Sequence, residues 1–100
     1  MTDDLELART VSEAALATEG VHSLSSGKFV EAATYGAGGT VRGVVVRPEE
    51  VEVHIVARYQ PGKPIPELTN ALIERLAPKA EDRKVVVVVE DLEVGDNANL

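Results

Sequence analysis

The two histidines of this 100-residue sequence are its most evident candidates for catalysis or metal binding. Neither His22 nor His54 has the i, i+4 histidine partner or the neighbouring carboxylate cluster that would suggest a metal site. Ser23, Ser25 and Ser26 follow His22, but a nucleophilic serine needs a sharp elbow and an orienting acid, and the sequence has no G-x-S-x-G motif. We therefore interpret both histidines as surface or half-buried residues, and we expect no catalytic residue, metal or cofactor.

A glycine cluster, Gly36-Ala37-Gly38-Gly39, is the next candidate. A phosphate-binding loop needs G-x-x-x-x-G-K-[ST] at the start of a helix, and this cluster has neither the lysine nor the helix. The cluster also contains the G-x-x-G spacing of the RNA-binding KH loop, which joins two helices and clamps a nucleic-acid backbone. Because extended patterns flank this cluster and it carries no basic residue, we predict a hairpin turn.

Charged residues suggest two further sites. Arg42, Arg47 and Arg58 could form a basic stripe, but the glutamates of residues 49–52 interleave with them, so cross-strand ion pairs are the expected arrangement. Adjacent acids occur at Glu49-Glu50, Glu81-Asp82 and Glu90-Asp91. A catalytic pair of carboxylates needs a pocket that shifts the pKa of one of them. Nothing in the sequence indicates such a pocket, so we interpret these acids as solvated.

Composition excludes several classes of function. The net charge of −7 and the pI of about 4.7 make nucleic acid an unfavourable partner, since an acidic domain repels phosphate. The absence of cysteine excludes a disulfide framework and thiolate metal ligands. The acidic start is unlike a signal peptide, and no apolar run approaches the roughly 20 residues that span a bilayer. We expect a cytoplasmic protein without direct membrane insertion.

Hydrophobic periodicity predicts two helices. The first occupies about residues 3–18, is capped by Thr2 or Asp3, and is closed by Gly20. The second helix is opened by Pro66 and ended by Pro78, and its apolar residues recur at helical spacing and form one face. That face consists of Ile65, Leu68, Leu72 and Leu76.

Alternation of apolar and polar residues predicts the strands. Residues 22–27 are interpreted as a polar connection. The predicted strands are Phe29–Tyr35, Thr40–Arg47, Val51–Tyr59 and Val85–Val89. The result is an α+β fold, a four-stranded mixed sheet with two helices on one face, in the order helix-strand-strand-strand-helix-strand. We expect one domain over residues 1–94, with the last strand at an edge of the sheet, and a flexible tail over 95–100.

The valines predict an interface. The run Val85–Val89 does not alternate, so both sides of that strand are apolar, and Val44 to Val46 share this property. Two helices suffice for one face only, so the second face or the exposed edge is expected to pair with another copy or with a partner protein. The interface residues predicted in this way are Val85, Val87, Val89 and Val45. The alternative is that residues 22–34 fold over this surface.

Several motifs together carry a resemblance to a known family. They are Ala14-Ala15 through Gly20-Val21 and Leu24, the strand Val51–Tyr59, the helix start Pro64-Ile65-Pro66-Glu67-Leu68, and the strand end Val89-Glu90-Asp91-Leu92. Over residues 5 to about 93 the chain resembles the bacterial alkaline shock protein family, whose members are also called envelope stress response proteins. Two segments depart from the family pattern, the longer turn at Gln60–Lys63 and the stretch Lys79–Lys84 before the last strand.

The resemblance implies a small, non-enzymatic cytoplasmic protein that a separate membrane-anchored partner holds near the membrane. Its role would be structural or adaptor-like, in cell-envelope homeostasis, through contact with another protein. A second hypothesis is a small-ligand or regulatory module that uses a cleft beside residues 60–64, which a deep apolar pocket lined by Tyr59 and Ile65 would favour. A third is an enzyme, which a buried polar site containing His54 and a carboxylate with a shifted pKa would favour.

Overall fold

The computed structural model describes residues 3–27 and 31–94. The elements in chain order are α1 (Asp4–Leu16), β1 (Val21–Leu24), β2 (Ala33–Gly36), β3 (Gly39–Arg42), β4 (Val44–Val46), β5 (Glu50–Arg58), α2 (Ile65–Leu76) and β6 (Lys84–Glu93). A short 3-10 turn, Ala77–Lys79, follows α2. Asp3 caps α1 by accepting a 2.8 Å hydrogen bond from the Glu6 N–H.

Strand β5 is the centre of the main sheet. On one of its edges β6 runs parallel to it. On the other edge two short antiparallel strands lie end to end, with Leu24 of β1 opposite Ile55 and Val44 of β4 opposite Val53. Strands β2 and β3 form a separate two-stranded hairpin, in which Gly36 faces Gly39. The predicted α+β class, the four-stranded mixed sheet and the glycine hairpin turn are therefore confirmed.

The strand assignments before β5 differ from the prediction. Strand β1 overlaps the segment that was interpreted as a polar connection. The prediction missed this strand because it has only four residues and two of them, His22 and Ser23, are polar. The predicted strand Thr40–Arg47 is divided by Gly43 into β3 and β4. Five strands therefore precede α2, where three were predicted. Residues 29 and 30 of the predicted strand Phe29–Tyr35, the proposed cap Thr2 and the predicted tail at 95–100 lie outside the described residues.

The core lies between the helices and one face of the sheet. Alternation places the side chains of Val51, Val53, Ile55 and Ala57 on this face, and all four are fully buried. Both helices contribute to the same cluster, α1 through Leu7 and Val11 among others and α2 through Leu72 and Leu76. Ile65 and Leu68 pack against its edge. The predicted apolar face of α2 is thus confirmed, and both helices lie on one side of the main sheet.

Gly43 joins the hairpin to the main sheet through a conformation that suits glycine. Its φ is +88°, its N–H donates to the Ala32 carbonyl at 2.8 Å, and its own carbonyl accepts from the His54 N–H at 2.8 Å. A Cβ built at this position would lie 2.7 Å from the Leu24 Cβ. The backbone strain and the steric conflict both require glycine here.

Replacement of Gly43 by alanine is therefore expected to destabilise the fold by more than about 1 kcal/mol. Gly62 provides a matched control, because its φ of +77° imposes similar backbone strain while a Cβ there would have no neighbour within 4 Å. Chemical denaturation of Gly43→Ala and Gly62→Ala separates the two contributions. Equal losses of stability would mean that the close approach to Leu24 contributes nothing.

The valines of β6 divide between the two faces of the sheet. Val85 is in the core at 7% exposure, and Val87 and Val89 pack against the core. These three were predicted as interface residues on the second face or at the exposed edge of the sheet. The structure turns their side chains toward the helices, because they share the register of Val51, Val53 and Ile55. It is Val86 and Val88 that lie on the opposite side, together with Val45 of β4, the remaining predicted interface residue.

Candidate functional site

The side of the main sheet opposite the helices, here called the outer face, holds a cluster of valines around three ionisable side chains. Its principal side chains are Val45, Glu52, His54, Val56, Val86, Val88 and Glu90, all partly or fully buried. They lie together because the even-numbered residues of β5 point away from the helices and are in register with Val45, Val86 and Val88. This face therefore combines half-buried valines with an ionisable centre.

At that centre, His54 lies between two carboxylates. Its Nδ1 is 2.6 Å from Glu90 Oε1, and its Nε2 is 2.6 Å from Glu52 Oε1. The histidine is 8% exposed, and the side chains of Glu52 and Glu90 are 21% and 13% exposed. A cationic imidazole can donate to both carboxylates at once, whereas a neutral ring can donate to only one. The cluster was not anticipated, since His54 was predicted to lack carboxylate neighbours and Glu90 to be solvated.

A β-bulge lies in β6 at Glu90. The β5–β6 register pairs Ile55 with Val89 but Val56 with Asp91, so Glu90 is an extra residue in β6. Alternation from Val88 on the outer face turns residue 89 inward and Glu90 outward, beside His54. The bulge takes effect after Glu90, where it shifts the register by one residue, and β6 continues to Glu93.

Glu52 also accepts a hydrogen bond from Arg47. Arg47 Nη1 lies 2.9 Å from Glu52 Oε2 and 3.4 Å from Glu50 Oε2, so the predicted ion pairs between arginine and the glutamates of 49–52 form at this position. The hydrogen bond with His54, followed by that with Arg47, lowers the pKa of Glu52 in opposition to its burial. A carboxyl whose pKa is lower in the folded state stabilises the fold above its ordinary pKa, and this contribution is lost as pH falls through the folded-state value.

This cluster is the buried polar site with His54 and a carboxylate of shifted pKa that the enzyme hypothesis requires. Each ring nitrogen of His54 contacts one of the two carboxylates. His22 is exposed elsewhere, with its Nδ1 3.3 Å from Arg58 Nη2. Ser25 contacts His54 only through the backbone, its N–H donating to the His54 carbonyl at 2.9 Å. Within residues 3–27 and 31–94, no group of His, Asp and Glu side chains has the arrangement of a metal site.

A separate groove lies beside the turn at residues 60–64, where a cleft was predicted. Its volume is about 330 Å³. It is lined by Glu19, Gln60, Lys63, Pro64, Glu67, Leu68 and Ala71. Tyr59 and Ile65, the predicted walls, are not among these residues. Hydrogen bonds from Lys63, at 3.1 Å, and from Gln60 lower the pKa of the Glu19 carboxyl at its rim.

Comparison of the chain with protein-family models, with curated proteins and with solved structures finds no match in any of the three. The resemblance to the alkaline shock proteins therefore depends on the motifs in the sequence. Among the described helices, none is long and apolar enough to cross a membrane.

Sequence reasoning missed the charged cluster for a definable reason. Glu90 is 36 positions from His54 in the chain, and only the parallel pairing of β5 with β6 brings the two together. The detectable signal was local: Glu52 and His54 are two residues apart in a strand, so they share a face. That pattern predicts a Glu–His contact, although it does not predict the second carboxylate.

Proposed function

We propose that this protein is a non-enzymatic adaptor that acts through protein–protein contact on the outer face of its sheet. The resemblance to alkaline shock proteins suggests the context, which is the envelope stress response, with a membrane-anchored protein as the partner. The observation that carries the proposal is the position of both helices on the opposite side of the sheet. Among the described elements, no helix covers Val45, Val56, Val86 or Val88.

The chemistry of the outer face suits a specific contact. Half-buried valines supply apolar area, and the burial of each contributes at most roughly 1.5–3 kcal/mol. The cluster of Glu52, His54 and Glu90 is held by short contacts, so it would enter an interface with little loss of side-chain freedom. The outer face would bind a partner that places a cationic or hydrogen-bond-donating group opposite these carboxylates in preference to a partner without such a group.

The test is partner capture with two valine variants. Val45→Lys places a charge on the outer face, and we expect it to abolish retention of the partner that the wild-type chain captures from native membranes and cytosol. Val94→Lys is the matched control, because Val94 is 47% exposed and follows β6 rather than lying on the outer face. We expect the control to capture the same partner as the wild type, and we expect that partner to carry a membrane span.

Equal capture by both variants, with unchanged folding, would exclude the outer face as the docking surface. If the wild type and both variants capture the same proteins, and none of these proteins has a membrane span, the support for a membrane-anchored partner would be removed.

A second candidate is ligand binding in the groove beside residues 60–64. The groove is open at its rim, and Leu68, Ala71 and Pro64 provide apolar contacts next to the Lys63–Glu19 ion pair. If a small molecule occupies it, native mass spectrometry of the purified protein should detect a bound species that Ala71→Trp displaces. A wild-type chain with no bound mass, and no stabilisation by a panel of small carboxylates and amines, would exclude this function.

A further inference from the structure

Among the described residues, the edge of β6 that faces away from β5 has a row of backbone groups without a partner. The Lys84 N–H donates to the Glu49 carbonyl at 3.0 Å, and the Glu93 carbonyl accepts from the Tyr59 N–H at 2.8 Å, so these residues face β5. Backbone groups of successive strand residues point to opposite edges, which directs those of Val85, Val87 and Val89 away from β5. Within the described part of the chain, β6 pairs with β5 alone.

This edge lacks the features that usually protect an edge strand. Residues 85–89 are five valines without a charge, a proline or a glycine. Natural proteins blunt such edges with charges, prolines or bulges, or cover them. Here the first bulge is at Glu90, after the valine run has ended. Five residues of regular strand are therefore available to another strand.

We propose that a second copy of this chain pairs with this edge, with β6 antiparallel to β6 of the partner and Val87 on the two-fold axis. The valine run is symmetric about Val87, so this register places Val85 opposite Val89 of the other copy and Val86 opposite Val88. The outward backbone groups of Val85, Val87 and Val89 then meet their counterparts as hydrogen-bonded pairs. The two main sheets become one sheet, with all helices on the same side.

Charge at the ends of the run selects this register. Lys84 precedes the valines and Glu90 follows them, so each lysine lies opposite a glutamate of the other copy. Both side chains lie on the outer face, Lys84 through its register with Glu50 and Glu90 through its contact with His54. Lys84 forms no ion pair with another residue that the structure describes. A slip of two residues would place Lys84 opposite Val88, or Glu90 opposite Val86, so the charge pairing would be lost.

This charge pairing also addresses the main obstacle to self-association. Two copies that each carry a net charge of −7 repel one another. The proposed register places a cation of one copy against an anion of the other at both ends of the valine run. The pairing of copies adds to the proposed adaptor function and does not depend on it, since the docking test on Val45 concerns another strand.

Amide hydrogen exchange of the wild-type protein tests the edge, and the strand contains its own control. The amides of Val86 and Val88 bond to β5, so they should exchange slowly at every concentration. Those of Val85, Val87 and Val89 should be protected at high protein concentration and lose that protection on dilution, as sedimentation shows dimer giving way to monomer. Fast exchange of these three amides at all concentrations would overturn the proposal. So would protection in a protein that sediments as a monomer throughout.

Single cysteines test the register, because the chain has none of its own. In the proposed register, Val86 of one copy and Val88 of the other form a non-hydrogen-bonded pair. Their Cα atoms would be about 4.5 Å apart, which is within disulfide range. A mixture of Val86→Cys and Val88→Cys proteins should therefore cross-link on oxidation far more than either variant alone, and Val45→Cys should remain uncross-linked. Equal cross-linking in the mixture and in the separate variants, or none in the mixture, would overturn the register.

Discussion

Replacement of Leu72 by alanine is expected to lower the free energy of unfolding by about 2–5 kcal/mol. Leu72 has no exposed surface, and it lies on the face of α2 that contacts the core. Its truncation removes apolar contacts and leaves a cavity that helix and sheet cannot fully close. In a domain with a total stability of about 5–15 kcal/mol, this is a large fraction.

Thr69→Ala is the control on the same helix. Thr69 is half-buried, and its hydroxyl donates only to the Pro66 carbonyl one turn earlier, at 3.0 Å. We expect a much smaller shift of the denaturation midpoint than for Leu72→Ala. Equal shifts would mean that α2 presents a different face to the sheet.

The second large effect is expected at His54. Its replacement by alanine leaves Glu52 and Glu90 partly buried without the group between them, which should cost about 1–3 kcal/mol. His22→Ala is the control, because His22 is exposed and surface substitutions usually change stability by less than about 0.5 kcal/mol. This expectation differs from the sequence-based one, in which both histidines were interpreted as surface or half-buried.

A double-mutant cycle identifies the cause of the loss. If the cost arises from the unpaired carboxylates, His54→Ala should destabilise a Glu90→Gln background less than it destabilises the wild type. The same loss of stability in both backgrounds would assign the cost to lost packing instead. A loss at His54 no larger than at His22 would contradict the charge arrangement altogether.

The elements with strong periodicity were predictable. The β5 alternation, the apolar repeat of α2 and the valine run of β6 each specify an element type, because their patterns extend over nine residues or more or are uniformly apolar. Strand β1 was not predictable, since its four residues, Val21–Leu24, include two polar ones and its strand character depends on pairing with β5. Local pattern gives no information about such pairing.

The faces of the valines show a similar limit. Their lack of alternation correctly indicated that both sides of β6 are apolar, but the sequence does not specify which side meets the helices. The parallel register with β5 decides this, and it places Val85 in the core and Val86 outside. In the same way, the contact between Glu90 and His54 depends on the pairing of two strands, and neither strand shows it alone.

We propose that this protein works through the outer face of its sheet rather than through a ligand site, and an NMR footprint of the captured partner on the isotope-labelled chain tests this residue by residue. We expect the signals of Val45, Val56 and Val86 to shift or broaden on binding, together with that of His54, while those of Lys63 and Leu68 in the groove do not change. Changes confined to the groove, with the outer face unaffected, would exclude the outer face as the docking surface.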